Sequence, residues 1–403
     1  SLKFSNHAQN EQFHKKLEVE LEKQAFNVIV GFNKMPGLDL YYGADSCYVG
    51  DKVPQYPAIY KLTRRYKGRY SFEEAVFGMT SQTLILSLSA QQKSEYQEHY
   101  FTPNERFHLL PPTLDESFSP VADRIGQREK LRVELDLPIN DLLLMFIGSG
   151  FRTKGLDRAI TALACLPTNL KERTSLIVVG DDDDEKQYRK QSDKASVSSQ
   201  VCFLGGRSRQ EIPKLLAAGD LMVHPAHNEN TGTVLLEAIA AGLPVLATDV
   251  CGYADHITAA EAGIVLDSPF DQEALNNQLA NMLTSPDHTR WSANGQHYGK
   301  NPALYKMPAR AVDAIETYES RKASAINNIA DSKTIHDVYL REDLSHLNFD
   351  ALLEIGKSTP GGRHNVVQAR VVGKEGRRTV RFSHNGHRYY LKIHDGVGWK
   401  EIA

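Results

Sequence analysis

Short apolar runs and amphipathic stretches take turns along the first three quarters of the chain. The runs from Leu142 to Ile147 and from Leu176 to Val179 are apolar at every position. Strands read this way when both of their faces are covered, because no position then meets water. The pattern predicts strands over 27–31, 83–89, 142–147, 175–179, 221–224 and 244–248. It predicts helices between them over 10–23, 71–80, 155–165, 184–194, 209–218, 232–241 and 272–284. Strand and helix in alternation is the signature of an α/β fold built on doubly wound parallel sheets.

That rhythm stops near residue 284. A helix is predicted over 303–317, and 320–332 has the small, polar composition of a linker or loose helix. Near His336 the texture changes. Runs 366–372, 378–383 and 389–393 read as antiparallel strands, with turns at 374–376 and at His384-Asn385-Gly386. Five parts follow: a first α/β domain over 1–117, a second over 118–302, a connecting helix over 303–318, a linker over 319–345 and an antiparallel tail over 346–403. Residues 115–123 read as a link between the first two.

The chain has 403 residues, 41% of them hydrophobic, enough for two cores. A net charge of −3 gives no case for nucleic acid as a partner. Cys47, Cys165, Cys202 and Cys251 lack zinc or redox spacing and read as buried, reduced thiols of a cytoplasmic protein. No apolar run reaches the ~20 residues that span a bilayer, and no signal peptide is visible. The acidic run Asp181–Asp184 reads as a solvated loop rather than a metal site, since no second carboxylate cluster accompanies it.

The candidate chemistry lies between Phe146 and Val250. Glu229 and Glu237 stand eight positions apart, with Asn230, Thr231, Gly232, Thr233 and Val234 between them. Glu229 falls on the loop after the 221–224 strand, and Thr231-Gly232-Thr233 starts a helix that carries Glu237 on its second turn. Free N–H groups at a helix start suit a diphosphate or a sugar oxygen. Gly232 lets a ligand approach the backbone. Glu237 can accept two hydroxyls, as a ribose offers, and Glu229 can accept from a sugar. The plainer alternative is a surface helix with two solvated glutamates.

A second element runs from Phe146 through Gly148 and Gly150 to Arg152, Thr153, Lys154 and Gly155. Lys154 at a helix start can neutralise a diphosphate leaving group, with Arg152 assisting; an ordinary turn with a solvated lysine is the alternative. A third, Gly205-Gly206-Arg207, is a strand-to-helix turn against which a base could pack.

The segment from Glu229 to Glu237 resembles the E-x7-E motif of retaining GT-B glycosyltransferases, enzymes of two Rossmann-like domains. The stretch from Val30 to Asp39, with Ala44-Asp45, Cys47-Tyr48 and His224-Pro225-Ala226, is similar to the lipopolysaccharide core glucosyltransferases over residues 1 to 317. This resemblance implies UDP-glucose as donor, a heptosylated lipid A as acceptor, retention at the anomeric carbon, and no metal or other cofactor. By position it gives Glu229 the glucose hydroxyls, Glu237 the ribose and Lys154 the diphosphate, and places Asn33 and Asp45 on the opposite wall of the cleft. Two family arginines are missing: one is Thr153 here, the other falls near Phe118. The resemblance also implies a first strand and Gly-Gly loop ahead of Ser1, so the first domain is expected to be incomplete and the chain a poor catalyst.

Between Asp51 and Tyr70 stand Lys52, Lys61, Arg64, Arg65, Lys67 and Arg69, interleaved with Tyr56, Tyr60, Tyr66 and Tyr70. Basic charge with tyrosines suits an anionic headgroup layer, and the family resemblance includes a lipid-contacting segment here. The expectation is a peripheral protein on the cytoplasmic face of the bacterial inner membrane; a solvated basic loop is the alternative. The tail from Val380 to Gly396 resembles the first strands of the lipopolysaccharide core heptose kinases. That implies a partial kinase-like N-lobe, an ATP-pairing lysine at Lys392 and a helix opening at Lys400-Glu401. Rival readings for the whole chain are another GT-B hexosyl- or heptosyltransferase, and a non-catalytic module that binds nucleotide sugars or membrane surfaces.

Overall fold

A computed structural model describes residues 6–23, 26–118, 124–134, 138–331, 370–372, 377–384, 387–394 and 397–401. Residues Ser1–Glu319 form one unit and Ser320–Ala403 another.

The first unit holds two parallel sheets. The N-terminal lobe begins with helix α1 (Asn6–Lys23) and carries strands β1 (Val30–Gly31), β2 (Leu40–Gly43), β3 (Leu84–Ser87) and β4 (Phe107–Leu109), paired in that order. Helices α2 (Arg64–Phe77) and α3 (Ala90–Tyr100) connect them. One face of this sheet packs Tyr41 and Ile85 against Val76, Phe77, Tyr96 and Tyr100. The other packs Leu40 and Leu86 against Met307 and Ala314.

The second lobe runs through α4 (Arg124–Glu134), β5 (Leu142–Ile147), α5 (Phe151–Lys154), α6 (Leu156–Ala164), α7 (Thr168–Lys171), β6 (Thr174–Val179), α8 (Glu185–Lys194), β7 (Val201–Gly205) and α9 (Ile212–Ala218). It continues through β8 (Leu221–His224), α10 (Thr233–Ala240), β9 (Val245–Thr248), α11 (Ala254–Ala259), β10 (Gly263–Leu266), α12 (Gln272–Thr284) and α13 (His288–Tyr298). Its sheet order is β10-β9-β8-β5-β6-β7, all parallel. The alternation within β5 divides two cores. Leu143, Met145 and Ile147 pack with α10 on one face, Leu144 and Phe146 with α6 and α12 on the other. Each such side chain contributes about 1.5–3 kcal/mol when fully buried. Beneath this sheet the fully buried Arg132 and the half-buried Arg128 both pair with Asp220, whose Oδ2 also accepts the Leu143 N–H at 2.8 Å.

The sequence of crossings matters for the site. From β5 the chain winds outward to β7, then returns to lay β8 on the opposite side of β5. The winding direction reverses between β5 and β8, and parallel sheets leave a crevice beyond the carboxyl ends of their strands at such a point. The loops after β5 and after β8 hold the two main sequence-predicted elements.

Expectation and structure differ in several places. Strands β2, β4, β7 and β10 and helices α3, α4, α5, α7, α11 and α13 lie outside the elements the pattern predicts. Helix α2 starts at Arg64 rather than 71, because the Thr63 side chain caps it by accepting the Tyr66 N–H at 3.1 Å. Residues 115–118 are not a loose link: a turn of helix at Glu116–Phe118 sinks Phe118 into the second-lobe core. The connecting helix α14 runs Met307–Asp331, through the first part of the expected linker; 332–345 lie outside the described residues. Cys47 and Cys251 are buried as expected, but Cys165 is exposed. The acidic run is not simply solvated: Asp181 accepts the Gly206 N–H and Asp182 the Phe151 N–H, each at 2.8 Å.

In the second unit β11 (Arg370–Val372), β12 (Arg377–His384), β13 (His387–His394) and β14 (Val397–Glu401) form an antiparallel sheet in chain order. This matches the expected texture. Lys392 sits on β13, opposite Thr379. Lys400 and Glu401 lie on a fourth strand and do not open a helix; Val397 and Trp399 give the segment β-forming residues. The turn residues 374–376 and 385–386 and the start of the tail lie outside the described residues.

Candidate active site

The loop after β5 turns on Gly148 and Gly150, both with positive φ, into the single turn α5. A Cβ on Gly148 would lie 2.6 Å from Lys154 Cε. The absent side chain is what lets the lysine fold back over its own strand end and reach the neighbouring loop. There it pairs with Glu229, the first glutamate of the motif. The main chain reinforces the approach. Thr153 O accepts the N–H groups of His227 and Asn228 at 2.8 and 3.3 Å. Arg158 Nη1 donates to Pro225 O and Ala226 O at 3.1 and 2.7 Å.

His224 closes β8 directly beneath this pair. It is fully buried, its Nε2 faces Glu229 Oε2 at 3.6 Å, and its Nδ1 has no hydrogen-bond partner among the described residues. Burial, reinforced by Lys154 and opposed by Glu229, lowers its pKa and keeps the ring neutral. Burial alone would raise the Glu229 carboxyl. His224 and Lys154 outweigh it and hold that carboxyl at about 2, so Glu229 is a carboxylate at any physiological pH.

Beyond Glu229 the chain passes Asn230 and Thr231 to Gly232, which sits at φ +77° and opens α10. The loop is stitched to the next one: Gly252 N–H donates to Glu229 O at 3.1 Å and Tyr253 N–H to Thr231 O at 2.8 Å. Thr233 and Val234 form the first turn of α10, where N–H groups lack helical partners. Glu237 lies one turn further on, half-buried. Desolvation raises its carboxyl to about 7; Arg209 opposes the rise and Asp115 adds to it. Asp115 and Arg209 pair with each other at 3.3 Å.

The remaining predicted residues fall as follows. Gly206 and Arg207 are exposed at the end of β7, Arg207 4.0 Å from Glu211. Arg152 is exposed, and its charge reaches Tyr188. Phe118, where the resemblance puts a family arginine, is core and offers no charge. Asn33 and Asp45 are exposed at the carboxyl ends of β1 and β2. Neither touches Glu229, but the Asp45 turn meets the same loop through Asn230, whose Nδ2 donates to Ala44 O at 2.6 Å. A separate hollow of about 210 Å³ opens on the α6 side of Ala226, lined by Arg158, His227, Asp249, Asp267 and Phe270. None of the predicted residues lines it.

Of the basic segment, Lys61, Arg64, Arg65 and Lys67 are exposed, together with Ile59 and Leu62, each 72% exposed. The tyrosines are less free than their spacing suggests. Tyr56 stacks on Tyr60 with ring centroids 4.2 Å apart, Tyr60 shares a hydrogen bond with Tyr48 at 2.7 Å, and Tyr66 stacks on Tyr70. Arg69 lies over the Tyr48 ring, and Lys52 pairs with Asp51 at 3.0 Å. Among the described residues no helix is long and apolar enough to cross a membrane.

Two residues that matter here receive no role from the sequence: His224, an ionisable residue ending an apolar strand, and Asn230, inside the motif itself.

Residues 127–298 match the family described as Glycosyl transferases group 1. The chain is 41% identical over 314 residues to the lipopolysaccharide glucosyltransferase WaaG of Escherichia coli K12, covering 77% of this chain and 83% of that protein. A crystal structure of WaaG, described as a glycosyltransferase involved in lipopolysaccharide biosynthesis, superimposes with a TM-score of 0.72 at 40% identity, over 78% of this chain and 84% of that one. Sucrose-phosphate synthase from Thermosynechococcus elongatus, at 22% identity, shares the fold with a TM-score of 0.61 over 79% of each chain. With two parallel Rossmann-like sheets, a reversal point crowned by Lys154 and Glu229, and these likenesses, the chain is a GT-B glycosyltransferase of group 1 and belongs to the family of the lipopolysaccharide glucosyltransferase WaaG.

Proposed function

We propose that this protein transfers glucose from UDP-glucose, with retention, to a heptose of the lipopolysaccharide core. The observation that carries the reading is the cluster at the reversal point, where Lys154 pairs with Glu229 beside the start of α10. Lys154 and the free amides at the start of α10 stabilise the charge that develops on UDP as the glucosyl–phosphate bond breaks. Glu229 accepts hydrogen bonds from glucose hydroxyls and Glu237 from the ribose. The acceptor hydroxyl attacks the anomeric carbon from the face UDP leaves, and its proton passes to the departing phosphate. Asn33 and Asp45 line the acceptor side. Gly148, Thr153, Gly206 and Arg207 complete the donor rim, and no metal takes part.

The WaaG likeness supports lipopolysaccharide core as the acceptor class. The exposed Lys61, Arg64, Arg65 and Lys67 beside Ile59 and Leu62 support docking on the anionic inner face of the bacterial inner membrane, where such an acceptor is anchored. Incubation with UDP-glucose and a heptosylated acceptor should release UDP and yield an α-linked glucose by NMR. Donor binding without turnover on any heptosylated acceptor would favour a binding module, and turnover with another nucleotide sugar alone would reassign the donor.

A further inference from the structure

Three consecutive carbonyls of the turn after β2 accept hydrogen bonds from side chains. Gly43 O accepts from Gln92 Nε2 at 2.7 Å. Asp45 O accepts from Gln92 Nε2 at 2.8 Å and from Tyr96 OH at 3.1 Å. Gln92 and Tyr96 are buried on α3, so these bonds fix the turn from within its own lobe. Ala44 O, between them, is served from the other lobe by Asn230 at 2.6 Å, and Asn230 Nδ2 also lies 3.5 Å from Gly43 O. A second contact sits beside the first: a Cβ on Gly252 would come within 2.8 Å of Ser89 Cβ and 2.0 Å of Asn230 O. Ser89 caps α3 by accepting the Gln92 N–H at 3.1 Å, so both contacts bear on the same support. On the second-lobe side both belong to the stitched loops that carry Glu229.

We propose that Asn230 is a positioning residue for transfer: it clasps the donor loop to the Asp45 turn, so that seating the two lobes and aligning Glu229 with Asp45 are one event. The proposal rests on the glycosyltransfer reading given above. Its polarity is fixed by chemistry. A backbone carbonyl can only accept, so residue 230 must donate, and an aspartate of the same shape would set a carboxylate against two carbonyl oxygens. Loss of one such bond should cost roughly tenfold in the step that needs the closed arrangement, and the reversed dipole more. Donor affinity should change little, because Asn230 is not among the groups that grip UDP-glucose.

The test compares the full chain with N230A and N230D by donor calorimetry, transfer kinetics and small-angle scattering with UDP-glucose present. The clasp predicts UDP-glucose affinity within threefold of wild type in both variants. It predicts kcat/KM for acceptor down about tenfold in N230A and further in N230D, and a more open scattering profile for N230D. Kinetics and scattering of N230D equal to wild type would overturn it. So would a loss of donor affinity that accounts for the whole loss of turnover, since the residue would then belong to the donor grip. If the wild-type chain neither binds nor turns over UDP-glucose, the functional reading falls by itself. Scattering of the unliganded proteins then decides the clasp: expansion in N230D upholds it and an unchanged profile overturns it.

Discussion

Glu237 makes the donor site sensitive to pH in a range where its neighbour Glu229 is not. Desolvation lifts the Glu237 carboxyl from 4.5 to about 7, whereas Glu229 stays near 2. A ribose held through two hydroxyl donors needs the ionised form. If only that form binds, the apparent affinity falls with the ionised fraction, so UDP-glucose should bind about tenfold more weakly at pH 6 than at pH 8. Binding at pH 6 should release close to one proton, seen as a calorimetric heat that varies with the ionisation enthalpy of the buffer. UDP-glucose serves better than UDP here, because its diphosphate is esterified at both ends and keeps its charge over this range. The same shift governs stability. The folded protein holds this proton between 4.5 and about 7 where the unfolded chain has lost it, so the group's contribution is favourable at low pH and declines as pH rises through that window. Above pH 7 the buried charge costs about 3 kcal/mol, a large share of the 5–15 kcal/mol typical of a folded domain. E237Q should therefore raise the melting temperature at pH 8, leave it unchanged at pH 4.5, and bind UDP-glucose weakly at both. Affinity flat from pH 6 to 8, with no buffer dependence of the heat, would refute the assignment of the ribose to this carboxylate.

Other outcomes follow from the same geometry. K154M should weaken UDP and UDP-glucose alike by at least about tenfold, since the cation meets the diphosphate they share. E229Q should weaken UDP-glucose alone, and equal loss for UDP in calorimetry would contradict its sugar role. D220A leaves Arg128 and the buried Arg132 without their carboxylate and frees the Leu143 N–H, so urea denaturation should show a loss of about 3–5 kcal/mol. Reversing Lys61, Arg64 and Arg65 to glutamate should abolish co-sedimentation with anionic vesicles at low salt while leaving neutral vesicles unaffected; retained binding would remove this face as the membrane contact.

How much of this was legible in the chain differs from part to part. The strands of the second lobe, β5, β6, β8 and β9, and helices α6, α8, α10 and α12 were readable because buried parallel strands are apolar throughout and their helices show a full amphipathic period. The motif from Glu229 to Glu237 was readable because a loop, a glycine and a helix start occupy consecutive positions. Strands β2 and β10 are no shorter than β8 and β9 but are not legible in the sequence, and only their neighbours in the sheet define them. The tyrosines of 56–70 were legible as a pattern but not as a stack, because ring contacts depend on how the segment coils.

Sequence alone thus determined the fold class and the residue types a nucleotide-sugar site requires. Only the tertiary structure decided which of them meet. Lys154 and Glu229 are 75 positions apart and converge because β8 returns to the side of β5. Asn230 and Ala44, 186 apart, belong to different lobes. Such pairings are set by chain crossing and lobe seating, which sum the packing of whole sheets and leave no local trace at the residues they unite.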